Sequence, residues 1–487
     1  MPEKGIASMP AQRIPQRPDR LLAEQAFSRT AGAPLIAGNA LRLLRDAAEN
    51  YPAWLMAIRQ AEHFIHFENY IIQDDIIGRE FIAALTERAR AGVTVRLLYD
   101  WMGCFFPASR QLFQPLLAAG GEIRAFNPAR LDSPFGWLTR DHRKSLTVDG
   151  RVGYVTGLCV SQRWTGNAAL NIAPWRDTGI EVRGPAVADI IAAFAQIWSL
   201  CGDALPPGEV PAGDSIENAG DTMLRVIASS PSASGLYRLD QLIAAMARES
   251  LWLTDAYFVG TPTYSQALCA AALDGVDVRL LVPSSSDLAI ISPFSRAGYR
   301  PLLEAGVRVY EWNGPMIHAK TAVADGRWAR VGSSNLNIAS WISNYELDVA
   351  VEDEAFADQM EAMYLQDIEQ ATEIVLSEKR VHLSERRQRP RQPVRFRGKT
   401  TGVATAMRLG NTVAAAIQQQ RVLGAVEAAI LLIIGLFLLL VAGLGLYWPR
   451  LLAIPIVTIS LWLAVCLLAR AWRLRHRERL PPPSHKE

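Results

Sequence analysis

Apolar and polar residues alternate in short runs through the body of the chain. Phe64-Ile65-His66-Phe67-Glu68-Asn69-Tyr70 has the two-residue period of a strand. A helix is expected from Gly78 to Ala91, then a strand over Val93-Thr94-Val95-Arg96-Leu97-Leu98. The same order returns about 180 residues later. Leu251 to Phe258 is a matching strand, with Asp255 and Tyr257 standing where Glu68 and Tyr70 stand. Gly275-Val276-Asp277-Val278-Arg279-Leu280-Leu281 repeats Gly92-Val93-Thr94-Val95-Arg96-Leu97-Leu98, and Pro301-Leu302-Leu303-Glu304-Ala305-Gly306 echoes Pro115-Leu116-Leu117-Ala118-Ala119-Gly120. So long a repeat is no solenoid unit. It predicts two homologous α/β domains packed together, each a largely parallel or mixed sheet with helices outside.

The remaining segments read differently. Residues 1–32 are expected as a disordered tail, since Met1 to Arg20 is rich in Pro, Arg and Gln and has no apolar signal-peptide core. Domain 1 then covers 33–205, a Pro- and Gly-rich linker 206–220, and domain 2 221–378. A basic linker at 379–421 leads into two apolar runs within 422–470, Ala428 to Trp448 and Leu451 to Ala469, followed by a basic tail at 471–487. Each run approaches the ~20 residues needed to cross a bilayer, so a C-terminal transmembrane helical hairpin is expected. Arginines crowd both flanks, Arg386 to Arg421 and Arg470 to Arg479, whereas the turn has Arg450 alone. That bias predicts a multi-pass protein of the cell inner membrane with its catalytic body facing the cytoplasm.

Composition narrows the function classes. Half the residues are hydrophobic, which excludes a mainly disordered protein. The formal net charge is +2, and no basic and aromatic groove stands out, so nucleic acid is not expected as a partner. The five cysteines are scattered without a C-x2-C pair, which argues against both a zinc site and a disulfide scaffold. No metal and no cofactor are expected.

The candidate chemistry lies at equivalent points of the repeat. His142-Arg143-Lys144-Ser145-Leu146-Thr147-Val148-Asp149 and His318-Ala319-Lys320-Thr321-Ala322-Val323-Ala324-Asp325 share the pattern H-x-K-x4-D. On a strand, His and Lys two apart face one side, so each pair should enter one pocket. The second motif is followed by Gly332-Ser333-Ser334-Asn335. Two lysines, Lys144 and Lys320, suit a phosphodiester, whose negative charge repels nucleophiles until it is neutralised. A neutral imidazole can attack phosphorus, and a protonated one can serve the leaving alcohol.

Two such motifs in one duplicated chain resemble the phospholipase D superfamily, with a closer likeness to its bacterial cardiolipin synthase branch. Tyr70 to Gly78, Pro174-Trp175-Arg176-Asp177-Thr178, Ala256-Tyr257-Phe258-Val259 and Glu304 to Arg308 add to the likeness, which covers the body but neither the hairpin nor the tails. The resemblance implies two phospholipase D-like α/β domains forming one pseudo-twofold unit, with the motifs meeting across the interface. It implies His142, Lys144, Asp149, His318, Lys320 and Asp325 as the catalytic set and Ser333, Asn335, Glu346 and Asp177 as phosphate-binding or orienting residues. Glu346 lies where the family's orienting carboxylate lies after the second motif, and Asp177 is its match in the first half. The implied substrate is phospholipid, phosphatidylglycerol above all, with a phosphatidyl group passing through phosphohistidine to give cardiolipin. Hydrolysis of the same phosphodiester is the alternative; a nuclease or a silent membrane scaffold fits less well. The oligomeric state is left open. The first half departs from the family pattern at Thr156-Gly157-Leu158-Cys159, where Gly-Gly-x-Asn is usual, and at Gly179, where a histidine is usual.

Overall fold

The computed structural model describes residues 18–104, 110–128, 139–231, 233–287 and 295–376, with scattered stretches between 436 and 468. The first half supplies β1 (Ile36–Arg45), β2 (Phe64–Asn69), β3 (Thr94–Asp100), β4 (Glu122–Phe126), the two-residue β5 (Arg140–Asp141), β6 (Ser145–Val148), β7 (Val152–Thr156) and β8 (Thr178–Arg183). The second supplies β9 (Thr222–Ser229), β10 (Ser250–Thr254), β11 (Asp277–Pro283), β12 (Arg308–Trp312), β13 (Thr321–Ala324), β14 (Trp328–Gly332), β15 (Asn344–Glu352) and β16 (Ala371–Ile374).

These strands join into a single sheet with the order β16-β12-β11-β10-β13-β14-β15-β9-β1-β8-β7-β6-β2-β3-β4. Outward from the β9–β1 seam, both halves run in the same sequence, β1-β8-β7-β6-β2-β3-β4 on one side and β9-β15-β14-β13-β10-β11-β12 on the other. That is the expected duplication, expressed as a pseudo-twofold. The pairs β2–β3, β3–β4, β10–β11 and β11–β12 are parallel, and β6–β7–β8 and β13–β14–β15 are antiparallel.

Local chemistry sets the element ends. Asp75 caps the helix Ile76–Arg90 by accepting from the amides of Ile77 and Gly78, and Gly92 at φ 93° turns the chain into β3. Strands β7 and β14 are buried along their whole length because helices cover the sheet on both sides. Helices Val187–Leu200 and Glu354–Ile368 share a core cluster that unites the halves, including Ile180, Val182, Ile190, Leu347, Val349 and Phe356. Burial of that shared surface favours one rigid unit over two hinged domains. The connection between halves is also tied down, since Glu209 forms an ion pair with Arg96 at 2.5 Å and a hydrogen bond with the His66 ring at 3.0 Å.

Residues 18–31 do not belong to a disordered tail; they form a helix whose Phe27 and Ala31, four residues apart, pack on the second-half core. Arg225 reaches its Ser28 hydroxyl at 2.6 Å and Arg238 its Thr30 carbonyl at 3.0 Å. The expected hairpin lies largely outside the described residues. Within it, residues 442–447 and 453–462 are helical, and no helix among the described residues is long and apolar enough to cross a membrane.

Candidate active site

Both motifs enter at the same edge of the sheet. β6 runs antiparallel to β2 with Ser145 opposite Glu68, and β13 runs antiparallel to β10 with Thr321 opposite Thr254. Lys144 and Lys320 therefore lie at the carboxyl ends of the parallel strands, where open α/β sheets place their ligands. The residues His142 to Lys144 and His318 to Lys320 precede β6 and β13 instead of lying in them. They are buried, with histidine side chains only 11% and 6% exposed.

The orienting carboxylates are exchanged between halves. Nδ1 of His142 lies 2.9 and 3.1 Å from the two oxygens of Glu346, and Nδ1 of His318 lies 2.7 Å from Oδ2 of Asp177. Each acid serves the histidine of the other half. Backbone pairing enforces this. β5 pairs in parallel with the start of β15, and the amide of His142 donates to the Tyr345 carbonyl at 2.9 Å. Reciprocally, Arg176 bridges Ile317, and the amide of His318 donates to the Arg176 carbonyl at 2.7 Å. Arg176 is itself fixed by Asp367 at 2.8 Å and Asp46 at 3.1 Å.

Each acid is further braced, but by different residues. Glu346 accepts from the Ser333 hydroxyl at 2.7 Å and the Asn344 amide group at 3.1 Å. Asp177 accepts from the Trp164 indole at 2.8 Å and the Thr178 amide at 2.8 Å. Ser333 corresponds to Gly157, where a Cβ would stand 2.2 Å from Asp177 Oδ1. The glycine thus admits Asp177, and a tryptophan from the next turn replaces the missing hydroxyl. Trp164 was not legible as a site residue, because nothing in its spacing marks the indole as the donor.

Burial and the neighbouring lysine depress the His318 pKa to about 4, against the opposing pull of Asp177. His142 is also lowered, first by burial, with Glu346 pulling upward and Lys144 downward. Burial brings Lys320 down to about 8, with Asp177 opposing and Lys144 adding to the shift. Lys320 acts on His142 and Lys144 on His318, so the four side chains form one electrostatic cluster. Burial opposes ionisation of Asp177 and Glu346, but the facing histidine and lysine charges hold both below their ordinary values. The cluster is two imidazoles ready to be neutral, two ammonium groups and two fixed carboxylates.

The motif aspartates lie elsewhere. Asp149 accepts from the amides of Glu62, His63 and Phe64, each at 2.8 Å. Asp325 does the same for Arg248, Glu249 and Ser250. They sit five residues beyond their lysines, roughly 16 Å along a strand, at the opposite edge of the sheet. Their place in the catalytic set is therefore corrected to a structural one. They tie the amino ends of β2 and β10 and occupy φ of 54° and 50°, which Asp tolerates well.

Asn335 is buried beside the second motif, and its side-chain oxygen has no protein partner. Cys159 takes the corresponding place in the first half; burial raises its thiol pKa, and its carbonyl accepts from the Tyr51 hydroxyl at 2.5 Å. Thr156 is accommodated by bonds to the Thr178 carbonyl and the Leu158 amide. Among the described residues no group of three or more His, Cys, Asp or Glu side chains is arranged to hold a metal ion.

A duplicated α/β sheet with one such cluster at its centre is the phospholipase D type of phosphodiester-processing site. The family described as "Cardiolipin synthase, PLD-like domain" matches residues 55–198 and 240–368, and the chain belongs to it. The cardiolipin synthase of Alkalihalophilus pseudofirmus is 33% identical over 350 residues, 71% of this chain and 69% of the relative. Cardiolipin synthase A of Pseudomonas fluorescens is 34% identical over 366 residues, 73% of this chain and 74% of the relative. Phosphatidylserine synthase of Haemophilus influenzae shares the fold, with a TM-score of 0.56 at 15% identity over 72% of this chain and 91% of that one.

Proposed function

We propose that the chain is a phosphatidyltransferase that makes cardiolipin from two molecules of phosphatidylglycerol. The observation that carries the reading is the exchanged pairing, His142 with Glu346 and His318 with Asp177, around two buried lysines in a chain of this family. Lys144 and Lys320 bind the non-bridging oxygens of the phosphodiester. Nε2 of His142 attacks phosphorus, the bond to the glycerol oxygen breaks, and His318 gives that oxygen its proton. The glycerol hydroxyl of a second phosphatidylglycerol then returns a proton to His318 and attacks phosphorus, and the P–N bond to His142 breaks. In the loaded site the phosphodiester anion offsets the lysine charges that depress His318, so Asp177 can hold the imidazolium.

The C-terminal apolar runs fit a membrane hairpin with the catalytic body in the cytoplasm. In support, Leu446, Tyr447, Ile454 and Val457 are helical and exposed, and the flanks are rich in arginine. A body held at the interface meets lipid alcohol at high local concentration, which favours transfer over hydrolysis. The test is turnover of phosphatidylglycerol vesicles by the full chain. Cardiolipin and glycerol in equal amounts support the proposal, and phosphatidic acid as the main lipid product would replace it with hydrolysis.

A further inference from the structure

The two half-sites differ at the mouth, and the difference bears on which alcohols the enzyme accepts. Over His318, Tyr257 stands edge-on with ring centroids 5.8 Å apart, and Trp175 lies on another side at 5.8 Å. The Tyr257 hydroxyl donates to Oδ1 of Asp287 at 2.7 Å, and the Ser286 hydroxyl lies 3.5 Å from the same oxygen. Arg163 stacks over Trp175 at 5.7 Å and approaches Oδ2 of Asp287 to 4.0 Å. His318, Tyr257, Asp287, Arg163 and Trp175 thus form a closed ring of neighbours, drawn from both halves. Over His142 stands Tyr70, at 4.9 Å, and the strand that would deliver a matching acid, β3, leads instead to buried Cys104.

We infer that Asp287, anchored by Tyr257 and faced by Arg163, is the subsite that recognises the hydroxyls of a polyol headgroup, glycerol in particular. The inference rests on the phosphatidyl-transfer reading above. Asp287 and Arg163 are 31% and 48% exposed, and 4.0 Å is too long for a hydrogen bond between them. A hydroxyl seated about 2.8 Å from each would donate to Oδ2 and accept from the guanidinium, completing both. One tyrosine ring and one hydrogen bond separate Asp287 from His318. In the proposed sequence both alcohols, the departing glycerol and the incoming glycerol headgroup, exchange protons with His318. One subsite on that side therefore reads both, and the side over His142 needs none. A simple alcohol has no second hydroxyl to place between Asp287 and Arg163 and would gain nothing from them.

The competing explanation is a clasp that merely holds the halves together, and partition of the phosphatidyl group separates the two. The full chain is given phosphatidylglycerol vesicles with labelled glycerol and 1-propanol at equal concentration, and labelled phosphatidylglycerol and phosphatidylpropanol are counted. Wild type favours glycerol. Asp287→Asn lowers the glycerol-to-propanol product ratio about tenfold, corresponding to ~1.4 kcal/mol. Tyr257→Phe, which frees the carboxylate from its anchor, lowers it less. A ratio within twofold of wild type in Asp287→Asn overturns the subsite, as does an equal fall of both products, which is what a clasp gives. Wild-type enzyme that forms neither alcohol product overturns the transfer reading itself.

Discussion

Exchange of the orienting acids makes a prediction that pairing within each half would not. Asp177 belongs to the first half, yet it touches His318, which the proposed sequence uses for the leaving alcohol. Asp177→Asn keeps the shape but removes the charge facing His318 at 2.7 Å, and its one remaining oxygen cannot serve both sides, so the new amide N–H meets either the Thr178 amide or the Trp164 and His318 donors. A hydrogen bond to a charged group contributes about 1.5–3 kcal/mol, and near the upper end that is roughly a hundredfold in rate. The loss should depend on the leaving group. With phosphatidylglycerol, single-turnover release of glycerol should fall about a hundredfold. With a phosphatidyl-p-nitrophenyl ester, whose leaving group needs little protonation, p-nitrophenol release should fall by less than about tenfold. Glu346→Gln, acting on His142, should slow both donors alike. The reverse pattern, with Asp177→Asn slowing the two donors equally and Glu346→Gln sparing the activated one, would refute the assignment of roles.

Other consequences are accessible to standard measurements. Lys320, lowered to about 8 by burial, must be cationic to bind phosphate, so kcat/KM should fall as pH rises through about 8. Lys320→Arg should remove that alkaline limb whatever its effect on the maximum rate. Asp149→Ala should lower stability by about 3 kcal/mol in denaturant titration, since three backbone amides lose their acceptor, with little change in turnover per folded molecule. Turnover should persist in EDTA, because two ammonium groups supply the charge neutralisation; loss on chelation and recovery with one divalent metal would contradict this. Deleting residues 422–487 should shift product from cardiolipin towards phosphatidic acid, and an unchanged ratio would place acceptor choice in the pocket alone.

Much of this was legible in the sequence, for physical reasons. The duplication showed because equivalent strands need equivalent apolar periods, as at Val93–Leu98 and Val276–Leu281. The histidines and lysines showed because their motif recurs at the same place in each half. The pairing of acids was not legible. It depends on β5 pairing with the start of β15, and residue 176 with 317, across the interface, and no local pattern encodes a partner about 140 to 200 residues away. Asp149 and Asp325 were misread for a related reason: a fixed spacing to lysine looks the same whether the aspartate faces substrate or caps a strand. The helix at residues 18–31 was missed because Pro and Arg ahead of it dominated the composition, while its anchoring contacts are tertiary.

The central claim is that the two halves form one site in which His142 carries the phosphatidyl group. Purified enzyme mixed with phosphatidylglycerol labelled at phosphorus, quenched in alkali and digested, should yield a single labelled peptide containing His142, with no label in His142→Ala. Label on the His318 peptide would reverse the roles, and the absence of labelled protein under conditions of turnover would contradict a covalent mechanism.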